Sequence, residues 1–146
     1  MILDFLIGEQ PDIYNRYLED IWKMSDEDIE SVHNFIQWTF PLNERSGAVP
    51  NSPILTQQEI IDIKQSEIAK QNVKKSADWF LNFLTRNSYW ICQSNHNHFR
   101  ITRAIKSLHL IHSNEEAENF KNSVLNLIKG NENKINPISL EFWKNS

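Results

Sequence analysis

The spacing of the apolar residues constrains the fold of this chain more than any other feature, because they recur every three or four positions along most of the sequence. In the stretch that follows Ser25, this spacing produces one apolar stripe: Ile29, Val32, Ile36 and Phe40. Residues at such spacing lie on one side of an α-helix. The sequence has no run of alternating apolar and polar residues that would predict a strand. We therefore predict an all-α fold.

Helix-start signals divide the sequence into segments. Three pairs of residues have the spacing of a capping box: Ser25 and Asp28, Thr56 and Glu59, and Ser113 and Glu116. The predicted helices span residues 14–23, 25–40, 56–86 (with a break near 71–72), 97–112, 113–130 and a last segment from 137. One Pro/Gly loop spans residues 42–53. The low content of three glycines and five prolines argues against a turn-rich β fold. We predict a single compact multi-helix bundle of five or more helices over residues 1–146.

Composition narrows the class of protein further. Aromatic residues make up 11% of the chain and include five tryptophans, so a packed core is expected rather than disorder. Cys92 is the only cysteine, which excludes an intramolecular disulfide and favours a reducing, cytoplasmic location.

The apolar run before Gly8 is short and contains Asp4, unlike a secretion signal. No segment has the ~20 apolar residues that a membrane span needs, so any membrane contact would be peripheral.

Charge is distributed unevenly along the chain, although the net charge is only −4. Residues 1–30 contain nine acidic and two basic residues, whereas residues 79–114 contain no acidic residue. The second window holds four of the five histidines. Its basic residues are Arg86, Arg100, Arg103 and Lys106. An acidic entry segment and a basic centre predict a dipolar domain.

The strongest candidate site is the start of the fourth predicted helix. Four side chains that carry or can carry positive charge crowd its first turns: His96, His98, Arg100 and Arg103. Each faces the positive end of the helix dipole, at a cost of roughly 0.3–1 kcal/mol, and the sequence places no acid beside them. A helix start with converging arginines favours an anion. We predict that Asn97, Arg100 and Arg103 bind a phosphate or carboxylate, aided by His96 or His98.

A structural role is the alternative for the two arginines. The predicted apolar stripe of the fourth helix is Ile101, Ala104, Ile105, Leu108 and Ile111, and Phe99 and Leu110 lie opposite it. A helix that is apolar on both sides is expected at the centre of a bundle. Arg100 and Arg103 would then be partly buried and would need partners. The acidic N-terminal segment offers Asp12 and Asp20 for an internal salt bridge.

The second predicted helix supplies three more candidate residues. His33 lies on its apolar stripe, so we expect a hydrogen-bonded core histidine. Gln37 flanks the stripe and is placed to hydrogen-bond to the fourth helix. Trp38 points away from the stripe, which predicts that it packs against another element or lines a groove. Together with the start of the fourth helix, these residues form the predicted recognition surface.

Catalysis, metal binding and nucleic-acid binding have weaker support. No nucleophile elbow, P-loop, dinucleotide fingerprint or paired-carboxylate motif is present, and nothing specifies Cys92 and His96 as a nucleophile and base. His109 and His112 are spaced to share a metal, but no carboxylate stands beside them and no zinc-binding spacing occurs. We therefore predict no cofactor and no metal. An enzyme that uses the histidine cluster and weak, salt-dependent nucleic-acid binding through residues 79–114 remain alternatives.

Two ordered segments resemble the conserved N-terminal domain of opioid growth factor receptors. Residues 33–41, His-Asn-Phe-Ile-Gln-Trp-Thr-Phe-Pro, are similar to the family signature His-x-x-Ile-Gln-Trp-x-Phe-Pro. Residues 95–103, Asn-His-Asn-His-Phe-Arg-Ile-Thr-Arg, are similar to the family segment His-Asn-x-x-Arg-Ile-Thr-Arg. One departure is Thr39, where the family more often has a bulky apolar residue. The resemblance extends from about Phe5 to Leu127.

The resemblance implies an all-helical, non-enzymatic binding or interaction domain. The implied partner is a peptide or an anionic small molecule, and a peptide carboxylate would meet Arg100 and Arg103. Animal members of the family are also nuclear or perinuclear, which adds to the cytoplasmic location expected from Cys92. The chain ends soon after the conserved domain, without the long C-terminal repeat region of the animal receptors. The resemblance therefore does not by itself imply receptor activity toward an enkephalin peptide.

Overall fold

The computed structural model of the protein describes residues 2–146, and these residues form nine α-helices and one short 3-10 helix. The α-helices are α1 (Ile2–Leu6), α2 (Leu18–Trp22), α3 (Asp26–Ser31), α4 (Ile36–Thr39), α5 (Gln57–Gln65), α6 (Glu67–Arg86), α7 (His96–Ile111), α8 (Asn114–Leu127) and α9 (Pro137–Asn145). The 3-10 helix spans Glu132–Lys134. Among the described residues the only β contact is one isolated bridge between Leu42 and Ile54. The predicted all-α class is confirmed.

Helix α7 lies at the centre of the structure, where it packs against α5, α6, α8 and α9. Its predicted apolar stripe is fully buried: Ile101, Ala104, Ile105, Leu108 and Ile111. The opposite side is not apolar core, because Phe99 is 81% exposed and Leu110 is half-buried. Helix α7 therefore has one face in the core and a second side that reaches solvent.

Helix α1 is part of the core. Phe5 and Leu6 are fully buried, and the ring of Phe5 packs edge-on against Trp38 with 5.6 Å between ring centroids. Asn72 of α6 donates from Nδ2 to the Leu6 carbonyl oxygen at 2.8 Å. The short apolar run at the start of the sequence therefore anchors the N-terminal segment. None of the described helices is long and apolar enough to cross a membrane.

The first predicted helix, residues 14–23, is wrong in its first half, because α2 begins only at Leu18. The cause is the buried side chain of Asp12, whose Oδ1 accepts the backbone N–H groups of Tyr14 and Arg16 at 2.9 and 3.0 Å. Asp12 Oδ2 also pairs with the Arg16 guanidinium at 2.7 Å. An aspartate that satisfies backbone donors in a turn competes with helix formation.

The second predicted helix, residues 25–40, divides into α3 and α4. Val32 is extended, with φ −90° and ψ 128°. The carbonyl oxygens of Ile29 and Val32 accept hydrogen bonds from the Arg100 side chain instead of continuing the helix. As a result His33 does not share a helical stripe with the apolar residues on either side of it, and the prediction that it does is wrong.

The long predicted helix, residues 56–86, divides at Ser66 rather than near residues 71–72. Ser66 is extended (φ −95°, ψ 111°), and its hydroxyl accepts the backbone N–H of Ala69 at 3.1 Å. Ser66 therefore ends α5 and caps α6, because a serine hydroxyl satisfies one of the free N–H groups at a helix start.

All three predicted N-cap residues cap a helix, but only one of the three predicted capping boxes forms both of its bonds. Both bonds of the Thr56–Glu59 capping box form, at 3.0 and 3.1 Å. The hydroxyls of Ser25 and Ser113 accept backbone N–H groups at the starts of α3 and α8. Helix α9 begins at Pro137, as predicted. These local signals are reliable because each depends on residues three positions apart.

The predicted loop, residues 42–53, is held closed at its base and tied to α7. The backbone N–H of Leu55 donates to the Leu42 carbonyl oxygen at 2.9 Å. Ser107 of α7 donates from its hydroxyl to the Pro41 carbonyl oxygen at 2.8 Å. The loop therefore folds back beside α7, and a cleft opens between them.

Candidate functional site

A cleft of about 480 Å³ opens between α4, the loop 42–53 and the exposed side of α7. We call it the α4–α7 cleft. Helix α4 contributes Ile36 and Gln37, and α7 contributes Phe99, Arg103 and Lys106. The loop side is lined by residues 44–48. Its volume lies within the range of about 300–1,000 Å³ that is usual for small-ligand sites.

The α4–α7 cleft is electropositive, although the whole chain carries a net charge of −4. Arg45, Arg103 and Lys106 line it, and the acidic residue that lines it is Glu44. Lys106 Nζ donates to Glu44 Oε1 at 2.7 Å, so this acid is already paired. The guanidinium groups of Arg45, Arg100 and Arg103 give the cleft its excess of positive charge.

Arg103 is fixed at one nitrogen and unpartnered at another. Its Nε donates to the carbonyl oxygen of Phe40 at 2.9 Å, at the end of α4. Its Nη2 is buried and has no hydrogen-bond partner among the described residues. Burial lowers the pKa of Arg103 to about 10, and the carboxylate of Glu44 opposes the shift. The guanidinium therefore stays charged at neutral pH and has a donor to offer.

The side chain of Arg100 binds the C-terminal end of α3. Only 4% of the residue is exposed. Its Nη1 donates to the Ile29 carbonyl oxygen at 2.7 Å, and its Nη2 donates to the Val32 carbonyl oxygen at 2.8 Å. The guanidinium also lies over the ring of Phe35, 5.0 Å from its centroid. Burial lowers the pKa of Arg100 to about 10. Its polar groups hold the fold, and its side chain forms part of the back of the cleft.

The predicted salt bridge from the arginines to the acidic N-terminal segment is wrong. Asp12 pairs with Arg16 at 2.7 Å, and Asp20 accepts the backbone N–H of Tyr17 at 2.8 Å. The partners of Arg100 and Arg103 are mainly backbone carbonyl oxygens, which no charge pattern in the sequence reveals.

The start of α7 has an acid beside it, contrary to the prediction. The Glu30 carboxylate contacts His96 Nε2 and accepts the hydroxyl of Tyr89. It also accepts Asn97 Nδ2 at 3.4 Å, and Asn97 in turn accepts Arg100 Nη1 at 3.2 Å. Burial lowers the pKa of His96, and Glu30 opposes this shift, whereas burial and then Glu30 raise the pKa of Tyr89. The chain's own carboxylate thus takes the position in which an anion was predicted.

The three candidate histidines occupy different environments. His33 is exposed and lines the α4–α7 cleft, so the prediction of a core histidine is wrong. Its ring packs edge-on against His96, with 5.1 Å between centroids, and His96 lines the cleft as well. His98 is buried, contacts the Trp90 carbonyl oxygen through Nε2 at 2.7 Å, and packs against Trp143. The cleft therefore brings together His33 and His96 but not His98.

Gln37 and Trp38 point in different directions from α4. Gln37 is only 5% exposed and lines the cleft, yet its Oε1 has no hydrogen-bond partner within residues 2–146. The predicted hydrogen bond from Gln37 to α7 is therefore not formed. Trp38 packs against Phe5 of α1, which confirms that it contacts another element. Neither Trp38 nor Asn97 lines the cleft.

Sequence reasoning missed Phe99 and the loop residues of the cleft. Its apolar side chain predicts a place in the core, but Phe99 lies off the main stripe of α7 and is exposed at the cleft. An aromatic residue between His98 and Arg100, outside the stripe, was the available signal. Arg45 had no such signal, since nothing local to a loop indicates which helix the loop will cover.

The basic window 79–114 does not form one continuous positive patch. Arg86 is paired with Asp26 at 2.6 Å, which together with Asn87 lowers the pKa of Asp26 to about 2. Lys106 is paired with Glu44 and Arg100 is buried. This arrangement gives no support to nucleic-acid binding. In the described part of the chain, no three His, Cys, Asp or Glu side chains are grouped to hold a metal ion.

We expect the free energy of unfolding to decrease as the pH is lowered from about 7 to about 5, partly through His96 and His112. Burial lowers the pKa of both below the ordinary value of 6.5, so the unfolded chain binds these protons more readily than the folded protein. The stabilisation is complete above 6.5 and is lost as the pH falls toward the folded-state pKa. Urea unfolding across this range measures the slope. The double variant His96→Gln, His112→Gln should show a shallower slope, and an unchanged slope would contradict the expectation.

Comparison with known proteins identifies related sequences. The family described as "Opioid growth factor receptor (OGFr) conserved region" matches residues 5–89, which include the first motif and stop before the second. The "Opioid growth factor receptor" of Mus musculus is 30% identical over 112 residues, covering 62% of this chain and 18% of that protein. "Opioid growth factor receptor-like protein 1" of Mus musculus is 31% identical over 117 residues, covering 63% and 24%. The match thus spans less than a quarter of these relatives. No solved structure matches the chain.

Proposed function

Because the chain belongs to the family of the opioid growth factor receptor conserved region, we propose that it is a non-enzymatic binding domain. Its ligand is acidic, such as a peptide carboxylate or another anion, and it binds in the α4–α7 cleft. The contact that defines the site is with Arg103, and Arg45 assists from the loop. Asn97 accepts a hydrogen bond from Arg100, which holds α3 against α7, whereas His98 and Trp38 lie outside the site.

The single observation that carries the proposal is the unpartnered Nη2 of Arg103. A buried donor without an acceptor costs about 1–3 kcal/mol, and more when it is charged. A carboxylate in the cleft would remove this cost by accepting the bond, and charge-assisted bonds to guanidinium are among the strongest in proteins. The Nε bond to Phe40 fixes the side chain in advance, which lowers the entropic cost of binding.

The names of the relatives favour a peptide among the acidic ligands. The mouse relatives are named as a receptor for a growth factor and as a protein like that receptor. We extend only the recognition of a peptide to this chain. The lone cysteine, which contacts the Ser94 carbonyl oxygen and forms no disulfide, is consistent with the proposed cytoplasmic location.

The proposal predicts that Arg103→Gln weakens binding of an acidic peptide by about tenfold or more, since a bond to a charged group is worth about 1.5–3 kcal/mol. Acetyl-Ala-Ala-Leu with a free carboxylate is a suitable probe, and isothermal titration calorimetry measures its dissociation constant. The same peptide with a terminal carboxamide should bind about tenfold more weakly to the wild-type protein.

Two further variants make this test specific. Arg86→Gln changes the net charge by the same amount at a residue outside the cleft, and it should leave the dissociation constant unchanged. Arg45→Gln replaces an exposed cleft residue and should weaken binding about twofold to fivefold, without the loss of the Phe40 bond that Arg103→Gln involves. Equal effects of Arg103→Gln and Arg86→Gln, or equal affinity for acid and carboxamide, would overturn the proposal.

A further inference from the structure

We propose that Gln37 accepts the last backbone N–H of a bound peptide, so that the α4–α7 cleft selects a peptide C-terminus with an apolar final residue over an isolated anion. This inference rests on the proposed function, because it assumes that an acidic group binds Arg103. It adds the chemical class of the ligand and a residue that determines specificity.

The starting observation is an acceptor that the fold leaves unused. Gln37 is 95% buried, it lines the cleft, and its Oε1 has no hydrogen-bond partner among the described residues. Buried polar side-chain atoms are nearly always paired, so an exception calls for an explanation. A residue that served only to fill space at this position would be apolar, because an unpaired buried acceptor is unfavourable.

The cleft therefore presents one unused donor and one unused acceptor on its two helical walls. The donor is Nη2 of Arg103 on α7, and the acceptor is Oε1 of Gln37 on α4. The Nε bond from Arg103 to the Phe40 carbonyl oxygen ties the two walls together at the end of α4. A ligand that satisfies both walls must carry both an acceptor and a donor.

A peptide C-terminus meets this requirement. Its carboxylate accepts from Arg103, and the N–H of the same residue, three bonds away from the carboxylate oxygens, donates to Gln37. A simple carboxylate or a sulfate ion has no such donor and would leave the Gln37 acceptor unpaired beside a negative charge. Capture of a terminal carboxylate is one of the recurring modes of peptide recognition.

The other residues that line the cleft indicate which kind of side chain the C-terminal residue of the peptide should carry. Ile36, Leu42 and Phe99 add apolar surface to the cleft, and Phe99 is 81% exposed. An exposed phenylalanine at the edge of a charged cleft is unfavourable in water and is covered when an apolar side chain packs on it. An apolar final residue would gain this contact, whereas a charged one would lose hydration there.

The test compares two peptides that differ in one methyl group. Acetyl-Ala-Ala-Leu and its analogue with an N-methylated leucine both carry the carboxylate, but only the first has the N–H. We expect the first to bind the wild-type protein about fivefold to tenfold more tightly. In Gln37→Met, which keeps the length of the side chain and removes the amide, the two should bind equally.

The stability of Gln37→Met provides an independent readout. Because the variant removes an unpaired buried acceptor, its melting temperature should equal or exceed that of the wild-type protein. A higher melting temperature together with weaker binding of the parent peptide is the pattern of a recognition residue. A large drop in melting temperature would show that the amide supports the fold, and would overturn the inference.

The outcomes separate this inference from the proposed function. If the parent and N-methyl peptides bind the wild-type protein equally, or if Gln37→Met keeps the preference, Gln37 does not read the N–H and the inference is wrong. If the carboxylate and carboxamide peptides bind equally, or neither binds, the proposed function is wrong. Inorganic sulfate, which carries no proton at neutral pH, is the third probe, and binding as tight as that of the parent peptide would also overturn the inference.

Discussion

Replacing Arg100 by methionine should destabilise the protein by about 3–5 kcal/mol, because it removes two buried hydrogen bonds from a charged group, each worth about 1.5–3 kcal/mol. Arg100 is 4% exposed and donates to the carbonyl oxygens of Ile29 and Val32 at 2.7 and 2.8 Å. Methionine fills most of the same volume, so packing loss is kept small. What is lost is the pair of charge-assisted bonds, which leaves two carbonyl oxygens at the end of α3 without these donors.

Chemical denaturation with urea, followed by far-UV circular dichroism, measures the loss. Arg100→Lys is the informative comparison, because one ammonium group cannot span two carbonyl oxygens as a planar guanidinium does. We expect its stability to lie between those of Arg100→Met and the wild-type protein. Arg86→Met, at an arginine that is paired at the surface with Asp26, should cost less than about 1 kcal/mol. A cost for Arg100→Met as small as that of Arg86→Met would contradict a structural role.

The role of Arg100 shows why sequence reasoning found the important residues of this region without finding their partners. Crowded positive charge at the start of α7 correctly marked the segment as unusual. Charge counting then suggested acids such as Asp12, because only acids are visible as partners in a sequence. Backbone carbonyl oxygens also accept hydrogen bonds from a guanidinium, and a helix that ends early exposes them. The early end of α3 is itself a tertiary effect, which local propensity does not contain.

The rest of the fold shows the same difference between features set by local sequence and features set by tertiary contacts. Helix class, the buried stripe of α7 and the caps at Thr56 and Ser113 depend on residues a few positions apart, and the sequence was sufficient to predict them. The late start of α2 and the break at Ser66 each depend on one polar side chain, that of Asp12 and that of Ser66. Each of these side chains accepts backbone N–H groups and so competes with continuation of the helix. The cleft was beyond prediction, because it exists only where the loop 42–53 folds over α7.

The second large loss of stability is expected where α1 packs against α4, which lies within the first motif. Phe5→Ala should destabilise the protein by about 3–5 kcal/mol, as is usual when a fully buried phenylalanine is truncated. Phe5 is fully buried, and its ring contacts Trp38 edge-on. Helix α1 also packs against α5 and α6, so the cavity would open at the junction of several elements. Such a site cannot collapse easily around the missing ring.

Phe5→Ala also carries a spectroscopic and a functional expectation, which distinguish it from an ordinary core mutation. Trp38 would lose its ring contact and gain access to water, so the tryptophan emission should shift to the red in the folded protein. Because Gln37 is the next residue to Trp38 on α4, affinity for the peptide probe should fall even where the variant remains folded.

Phe5→Leu should restore most of the stability, since it refills much of the cavity. Ile68→Ala, at a residue that is 58% exposed, should change stability by no more than about 0.5 kcal/mol. If Phe5→Ala is as mild as Ile68→Ala and leaves the emission unchanged, α1 does not support α4, and the N-terminal segment plays no part in shaping the cleft.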